Sequence, residues 1–196
     1  MYFEENLTYH IYNQGNNRQT VFFEPRNYLF FITKIREYIL PHGDMLCYCL
    51  MPNHFHLLFH VNQINMVVPK SKGDLDALDN IRNRSLNESI AILLRSYTRA
   101  INKQEQRSGS LFRQETKAKN GIIEGFITLN GKHNDLFFGA QNDHISHCFD
   151  YIHQNPVKSQ LVNRAEDWQY SSASDYAGLR NGTLCNKQLA KAMGLI

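Results

Sequence analysis

The run from Asp44 to Val61 constrains this chain more than any other stretch. It reads Asp44-Met-Leu-Cys-Tyr-Cys-Leu50, then Met51-Pro-Asn53, then His54-Phe-His-Leu-Leu-Phe-His-Val61. Apolar runs of this length, broken by a Pro-Asn turn signal, predict buried strands rather than loop. Side chains alternate across a strand, so His54, His56, Leu58 and His60 share one face and Phe55, Leu57, Phe59 and Val61 the other. His54 and His56 then lie roughly 6–7 Å apart between Cα atoms, and their imidazoles can converge on one cation. The bland alternative is a pair of satisfied core histidines, and two ligands alone do not decide the matter. His60, at the strand end, is read as ordinary.

Around this run the chain alternates strands and helices. Leu7-Thr-Tyr-His-Ile-Tyr12 predicts a first strand, closed by the turn-rich Asn13-Gln-Gly-Asn-Asn17. Glu24-Pro25 opens a helix to about Leu40, because Pro is accepted in the first turn and Leu29, Ile32, Ile35 and Ile39 give a helical stripe. Residues 62–84 lose their pattern and are read as a flexible connection or insertion. Ser85 and Glu88 fit a capping box. The helix they start runs to about Gln106, with Leu86, Ile90, Leu93, Tyr97 and Ile101 on one side and Arg95, Arg99 and Lys103 on roughly the opposite one. Residues 120–142 are rich in Gly, Asn and Asp and are read as a second insertion. Ile145, Cys148, Phe149 and Ile152 mark another helix, ended by Asn155-Pro156. The order predicts an α+β fold, a sheet covered on one face by helices, in a single domain over residues 1–196.

The formal charge of +3 is too small to announce a polyanionic partner, but its distribution is informative. Between Arg95 and Lys119 stand seven basic residues, Arg113 and Lys117 among them, against two acidic ones. That local excess suits nucleic acid, with a solvated basic face as the bland reading. Cys47 and Cys49 lack the spacing of a structural zinc site and read as small core residues. His144 and His147, three apart on a helix, are read as solvent-facing rather than chelating. The acidic start Met-Tyr-Phe-Glu-Glu is unlike a signal peptide, and no run reaches membrane-span length, so the expectation is a cytoplasmic protein with no membrane partner.

Tyr97 has two readings. It falls on the apolar stripe of its helix, where a tyrosine is ordinarily a core aromatic with its hydroxyl at the rim. It could also be a nucleophile. A phenol with a pKa near 10 is unreactive at neutral pH, but it can attack phosphorus if a cation stabilises the charge on the phosphate oxygens. Arg95 and Arg99 point about 200° around the helix from Tyr97 and would hold flanking strand instead.

Several blocks together resemble the single-tyrosine HUH transposases, specifically the REP-associated tyrosine transposases of the insertion-sequence 200-like type. They are Tyr9-His-Ile-Tyr-Asn-Gln-Gly-Asn-Asn-Arg18, Tyr48-Cys-Leu-Met-Pro-Asn-His-Phe-His-Leu57, Ser96-Tyr-Thr-Arg-Ala-Ile-Asn102, Ser108-Gly-Ser-Leu-Phe112, Tyr151-Ile-His-Gln-Asn-Pro-Val157 and Asp167-Trp-Gln-Tyr-Ser-Ser172. The resemblance implies a ferredoxin-like antiparallel sheet with the histidines on a central strand. It also implies a divalent ion, Mg²⁺ or Mn²⁺, and cleavage of single-stranded or hairpin DNA through a 5′-phosphotyrosine.

Carried over by position, His54 and His56 are metal ligands and Tyr97 the nucleophile. The family's third ligand is an amide side chain one turn beyond its tyrosine. Here Ile101 stands at that place and cannot ligate, so Asn102 is the candidate, on a rotated or bulged turn. Arg18, Arg95, Arg99, Lys103, Arg113 and Lys117 are the expected DNA-binding residues, although the Gly15–Arg18 segment reads equally well as a plain tight turn. The chain departs from the family at Gln14, where related chains carry Arg. A replication-initiator or relaxase-like nicking enzyme and a non-catalytic DNA-binding descendant of a transposase are the rival readings. Whether the protein is a homodimer is open in the sequence.

Overall fold

A computed structural model describes residues 1–70, 81–120 and 141–196. Residues 71–80 of the first predicted insertion and 121–140 of the second lie outside the described residues. Strands and helices follow in the order β1 (Thr8–Gln14), α1 (Pro25–Tyr38), β2 (Gly43–Met51), β3 (His54–Val61), β4 (Asn65–Pro69), β5 (Ile81–Ser85), α2 (Leu86–Gln104), β6 (Lys117–Asn120), α3 (Gln141–Lys158), α4 (Ala173–Tyr176) and α5 (Lys187–Ala192).

β3 pairs with β2 on one side and β1 on the other, and β6 adds to the free edge of β1. All these pairings are antiparallel, in the order β2-β3-β1-β6. Taken in chain order these strands run 4-1-3-2, with α1 and α2 as the crossovers, which is the ferredoxin-like arrangement. The histidine strand is therefore central.

The helix signals hold. α1 begins at Pro25 behind a capping box in which the Glu24 side chain accepts from the N3 backbone and Asn27 reaches back. Its buried stripe is Tyr28, Phe31 and Ile35; of the predicted stripe Ile35 and Ile39 are buried, Ile32 is half-buried and Leu29 is exposed. α2 is capped by Ser85, whose Oγ accepts from the Glu88 N–H at 3.2 Å.

Three expectations are corrected. The described ends of the stretch 62–84 are not patternless: β4 and β5 pair as a two-stranded antiparallel sheet from Asn65↔Ser85 to Pro69↔Ile81. Nor are helices confined to one face. α1 and α2 close a core over Tyr9, Ile11, Phe55, Leu57 and Phe59, and α3 and α5 close a second over Leu46, Cys47, Cys49, Met51 and Leu58. Lastly, α3 does not stop at Asn155-Pro156 but runs on to Lys158 with Pro156 inside it. Pro156 has no N–H for the Ile152 carbonyl, yet Tyr151, Ile152 and Asn155 are buried, so packing on the sheet carries the helix past it.

Candidate active site

His54 and His56 point to the α3 side of the sheet, between β2 residues Met51 and Cys49 and β1 residues Gln14 and Tyr12, their cross-strand partners. They are 1% and 0% exposed, with ring centroids 4.8 Å apart. The β2–β3 turn fixes the tautomer of His54. Asn53 Nδ2 donates to the Arg18 carbonyl at 3.3 Å, which turns its Oδ1 towards His54 Nδ1, 2.6 Å away. An amide oxygen only accepts, so Nδ1 carries the hydrogen and Nε2 is left with its lone pair. That Nε2 is buried with no hydrogen-bond partner among the described residues. Burial pushes the His54 pKa down to about 3, with the Asn155 side chain acting in the opposite sense. His56 Nδ1 lies 2.8 Å from Nε2 of His10 on β1. Burial, reinforced by the Lys119 ammonium, also holds His10 at about 3. His54 and His10 are thus neutral in a buried, nitrogen-rich patch that includes His56, and neutral imidazole is the form that binds metal.

α3 brings a tyrosine to this patch. Tyr151, 6% exposed, stands edge-on to His56 with ring centroids 5.6 Å apart, and 6.3 Å from His10. Asn155 lies one turn further along the same helix and is 1% exposed. Its Nδ2 donates to the Tyr151 carbonyl at 3.0 Å. Its side chain acts on His54 and also on the Tyr151 phenol: burial raises the phenol's pKa, and the Asn155 hydrogen bond opposes that rise. Lys158 Nζ sits 5.1 Å from the Tyr151 ring centroid. Two turns of α3 therefore carry a phenol and an amide on the histidine side, with an ammonium group beside the phenol ring.

Tyr97 lies elsewhere. It is fully buried on the α1–α2 side, against Phe22, Phe30, Phe31 and Phe112. Its hydroxyl donates to the Val21 carbonyl at 2.8 Å. Phe31 also packs on Phe55, which points away from His54 and His56, so the sheet itself separates Tyr97 from them. Of its two sequence readings, the core aromatic is the one found. Asn102 goes with it: its Nδ2 donates to the Gly109 carbonyl at 2.8 Å, on the far side of the sheet from the histidines. The structure therefore brings His54 and His56 together and leaves out Tyr97 and Asn102.

The predicted basic residues divide by face. Arg95, Arg99, Asn102, Arg113 and Lys117 line a groove of about 1070 Å³ between α2 and the segment leading into β6. Lys103 is exposed but outside that lining. Lys117 and Lys119 register with Tyr12 and His10, and directly opposed residues share a face, so both flank the histidine side. Arg18 is exposed in a turn whose Asn17 and Arg18 have left-handed φ of 52° and 59°. Among the described residues no three His, Cys, Asp or Glu side chains form a ready metal cluster. His144 is buried rather than solvent-facing, and His147 is exposed.

No family model matches this chain, and no curated protein matches it. A solved structure of a REP-associated tyrosine transposase, bound to a REP hairpin, aligns with 95% of this chain and 94% of its own, at 14% identity and a TM-score of 0.55. The chain has the fold of a REP-associated tyrosine transposase. Within that transposase fold, sequence reasoning missed His10, Tyr151 and Asn155 as neighbours of the histidine pair. The signal was present: Tyr151 and Asn155 are four apart, the spacing that stacks side chains on one helix face.

Proposed function

We propose that the chain cuts and rejoins single-stranded DNA, with Tyr151 as nucleophile and His54, His56 and Asn155 holding a divalent ion, Mg²⁺ or Mn²⁺. The observation that carries this is geometric: the buried Tyr151 ring stands edge-on to His56, and the buried Asn155 amide lies one helical turn further along α3. The donors suit such an ion: His54 offers a buried lone pair with its tautomer fixed from behind, and an amide oxygen is a hard ligand. When bound, the ion supplies charge stabilisation to the phosphate oxygens.

The remaining chemistry belongs to the chain. Tyr151 Oη forms a bond to the scissile phosphorus and its proton passes to water. The bond from phosphorus to the 3′-oxygen breaks, and that oxygen takes up a proton. The reverse attack by the 3′-hydroxyl reseals the strand, so no nucleotide cofactor is consumed. In this reading neutral His10 is the acceptor in its 2.8 Å contact with His56 Nδ1, which gives His56 the same tautomer as His54. Lys158, Lys117 and Lys119 give the histidine face its positive charge, and Arg95, Arg99 and Arg113 hold strand that passes over the β6 edge. The similar transposase carries a REP hairpin, and we take hairpin-bearing single-stranded DNA as the substrate class here.

Incubating the protein with such DNA and Mg²⁺ or Mn²⁺ is expected to yield a covalent adduct that survives boiling in detergent. DNA binding with no adduct in either ion would sink the catalytic reading and leave a DNA-binding protein. Replacing Arg99 and Arg113 by Ala is expected to weaken DNA binding. The same change should lower the slope of log affinity against log salt by about one for each phosphate no longer neutralised.

A further inference from the structure

Gln14 is the last residue of β1 and registers directly opposite His54 on β3. Residues so opposed share a face, with Cβ atoms about 4.5–5.5 Å apart. Gln14 is 0% exposed, and neither Oε1 nor Nε2 of its side chain has a hydrogen-bond partner among the described residues. Its backbone needs nothing from that side chain: the N–H donates to Asn13 Oδ1 at 2.7 Å and the carbonyl accepts from the Arg113 N–H at 2.8 Å.

Leaving both ends of a buried amide unbonded is costly, and other buried amides here are bonded. Asn13, Asn53 and Asn155 each donate within 3.3 Å. A glutamine in this position is therefore poorly explained by packing. On the same face, directly across the ladder, is another buried atom of this kind, the lone-pair Nε2 of His54. The structure shows no hydrogen bond between them, and an amide N–H turned to that nitrogen would still leave the buried Oε1 unbonded. A cation between them satisfies both.

We infer that Gln14 is a further ligand of the cation site, its Oε1 adding an oxygen donor from β1 to His54, His56 and Asn155. The inference rests on the cation reading of that site. It gives the site donors from β1, β3 and α3, so a cation there ties the sheet to the helix that carries Tyr151. The Gln14 Nε2 hydrogens would remain available to donate to a phosphate oxygen at the site.

The test is Mn²⁺ titration of the full-length protein, followed by electron paramagnetic resonance of free Mn²⁺, beside thermal melting in a chelator. Gln14→Met, close in volume and unable to bind a hard cation, is expected to weaken Mn²⁺ binding about tenfold, the low end of what loss of a site-supporting group costs. Its metal-free melting temperature should stay level or rise, because an unbonded buried amide has been removed. Gln14→Glu should bind Mn²⁺ more tightly than the unaltered protein. Unchanged Mn²⁺ affinity in Gln14→Met with a lowered metal-free melting temperature is the signature of a purely structural role and overturns the assignment. If Gln14→Met does not fold, Gln14→Glu decides: tighter binding supports the assignment, unchanged or lost binding overturns it. Failure of the unaltered protein to bind Mn²⁺ overturns the cation reading itself, so the two failures are told apart.

Discussion

Two buried phenols lie on opposite sides of one sheet, and their surroundings differ more than their burial. Tyr97 is 0% exposed and Tyr151 is 6%. Tyr97 is enclosed by phenylalanine rings, with its hydroxyl tied to a backbone carbonyl. Tyr151 faces imidazoles, with an amide acting on its phenol and an ammonium beside its ring. Burial raises the pKa of both, but only at Tyr151 does a hydrogen-bonding side chain oppose the shift. A helix-borne tyrosine on an apolar stripe fills a core. A tyrosine that takes up and releases a phosphoryl group needs polar partners placed for that charge in advance.

The contrast can be broken most readily at the hydroxyls. Tyr151→Phe is expected to remove the covalent adduct entirely while leaving DNA affinity within a few fold, as measured by denaturing gel and by filter binding. Asn155→Ala should follow, lowering adduct yield and Mn²⁺ affinity by roughly 10–100-fold. A wild-type yield in Asn155→Ala would detach the amide from the site.

Acid should distinguish the two faces next. His10, His54 and His153 are held neutral on the α3 side, with pKa values of about 3, 3 and 4. The folded state binds fewer protons there than the unfolded chain, whose histidines titrate near 6.5. Stability is therefore full above about pH 6.5 and is lost as pH falls towards 4 and then 3, at up to about 1.4 kcal/mol per pH unit for each group. Denaturant melts across this range check the slope, and His10→Gln should make it shallower.

Tyr97→Phe closes the series with no expected change in adduct yield. It should cost about 1–3 kcal/mol of stability, because the buried Val21 carbonyl loses its donor. A loss of adduct in a folded Tyr97→Phe protein would reverse the assignment of the two phenols.

Much of the frame was legible in the sequence for physical reasons that act locally. The period-two alternation from His54 to Val61 is enforced by pleating, and the structure keeps the same residues on the same faces. The Glu24-Pro25 and Ser85–Glu88 starts are short-range hydrogen-bond chemistry, and both helices begin there. The choice of tyrosine was not local. The stripe Leu86, Ile90, Leu93, Tyr97, Ile101 already described a core face, and that is where Tyr97 is found. Reading Asn155-Pro156 as a helix end hid the fact that Tyr151 and Asn155 share one turn. The β4–β5 pair was obscured because its residues are mostly exposed, so no buried face imprints a pattern on them. Gln14 could be noted as a departure from related chains, but only the register with His54 gives it a neighbour.

The most direct test is to locate the covalent bond. DNA trapped on the protein is digested with nuclease and protease, and the peptide carrying residual nucleotide is sequenced by mass spectrometry. The nucleotide is expected on the phenol oxygen of Tyr151. Finding it on Tyr97, or on Tyr12 beside His10, would contradict the account at its centre.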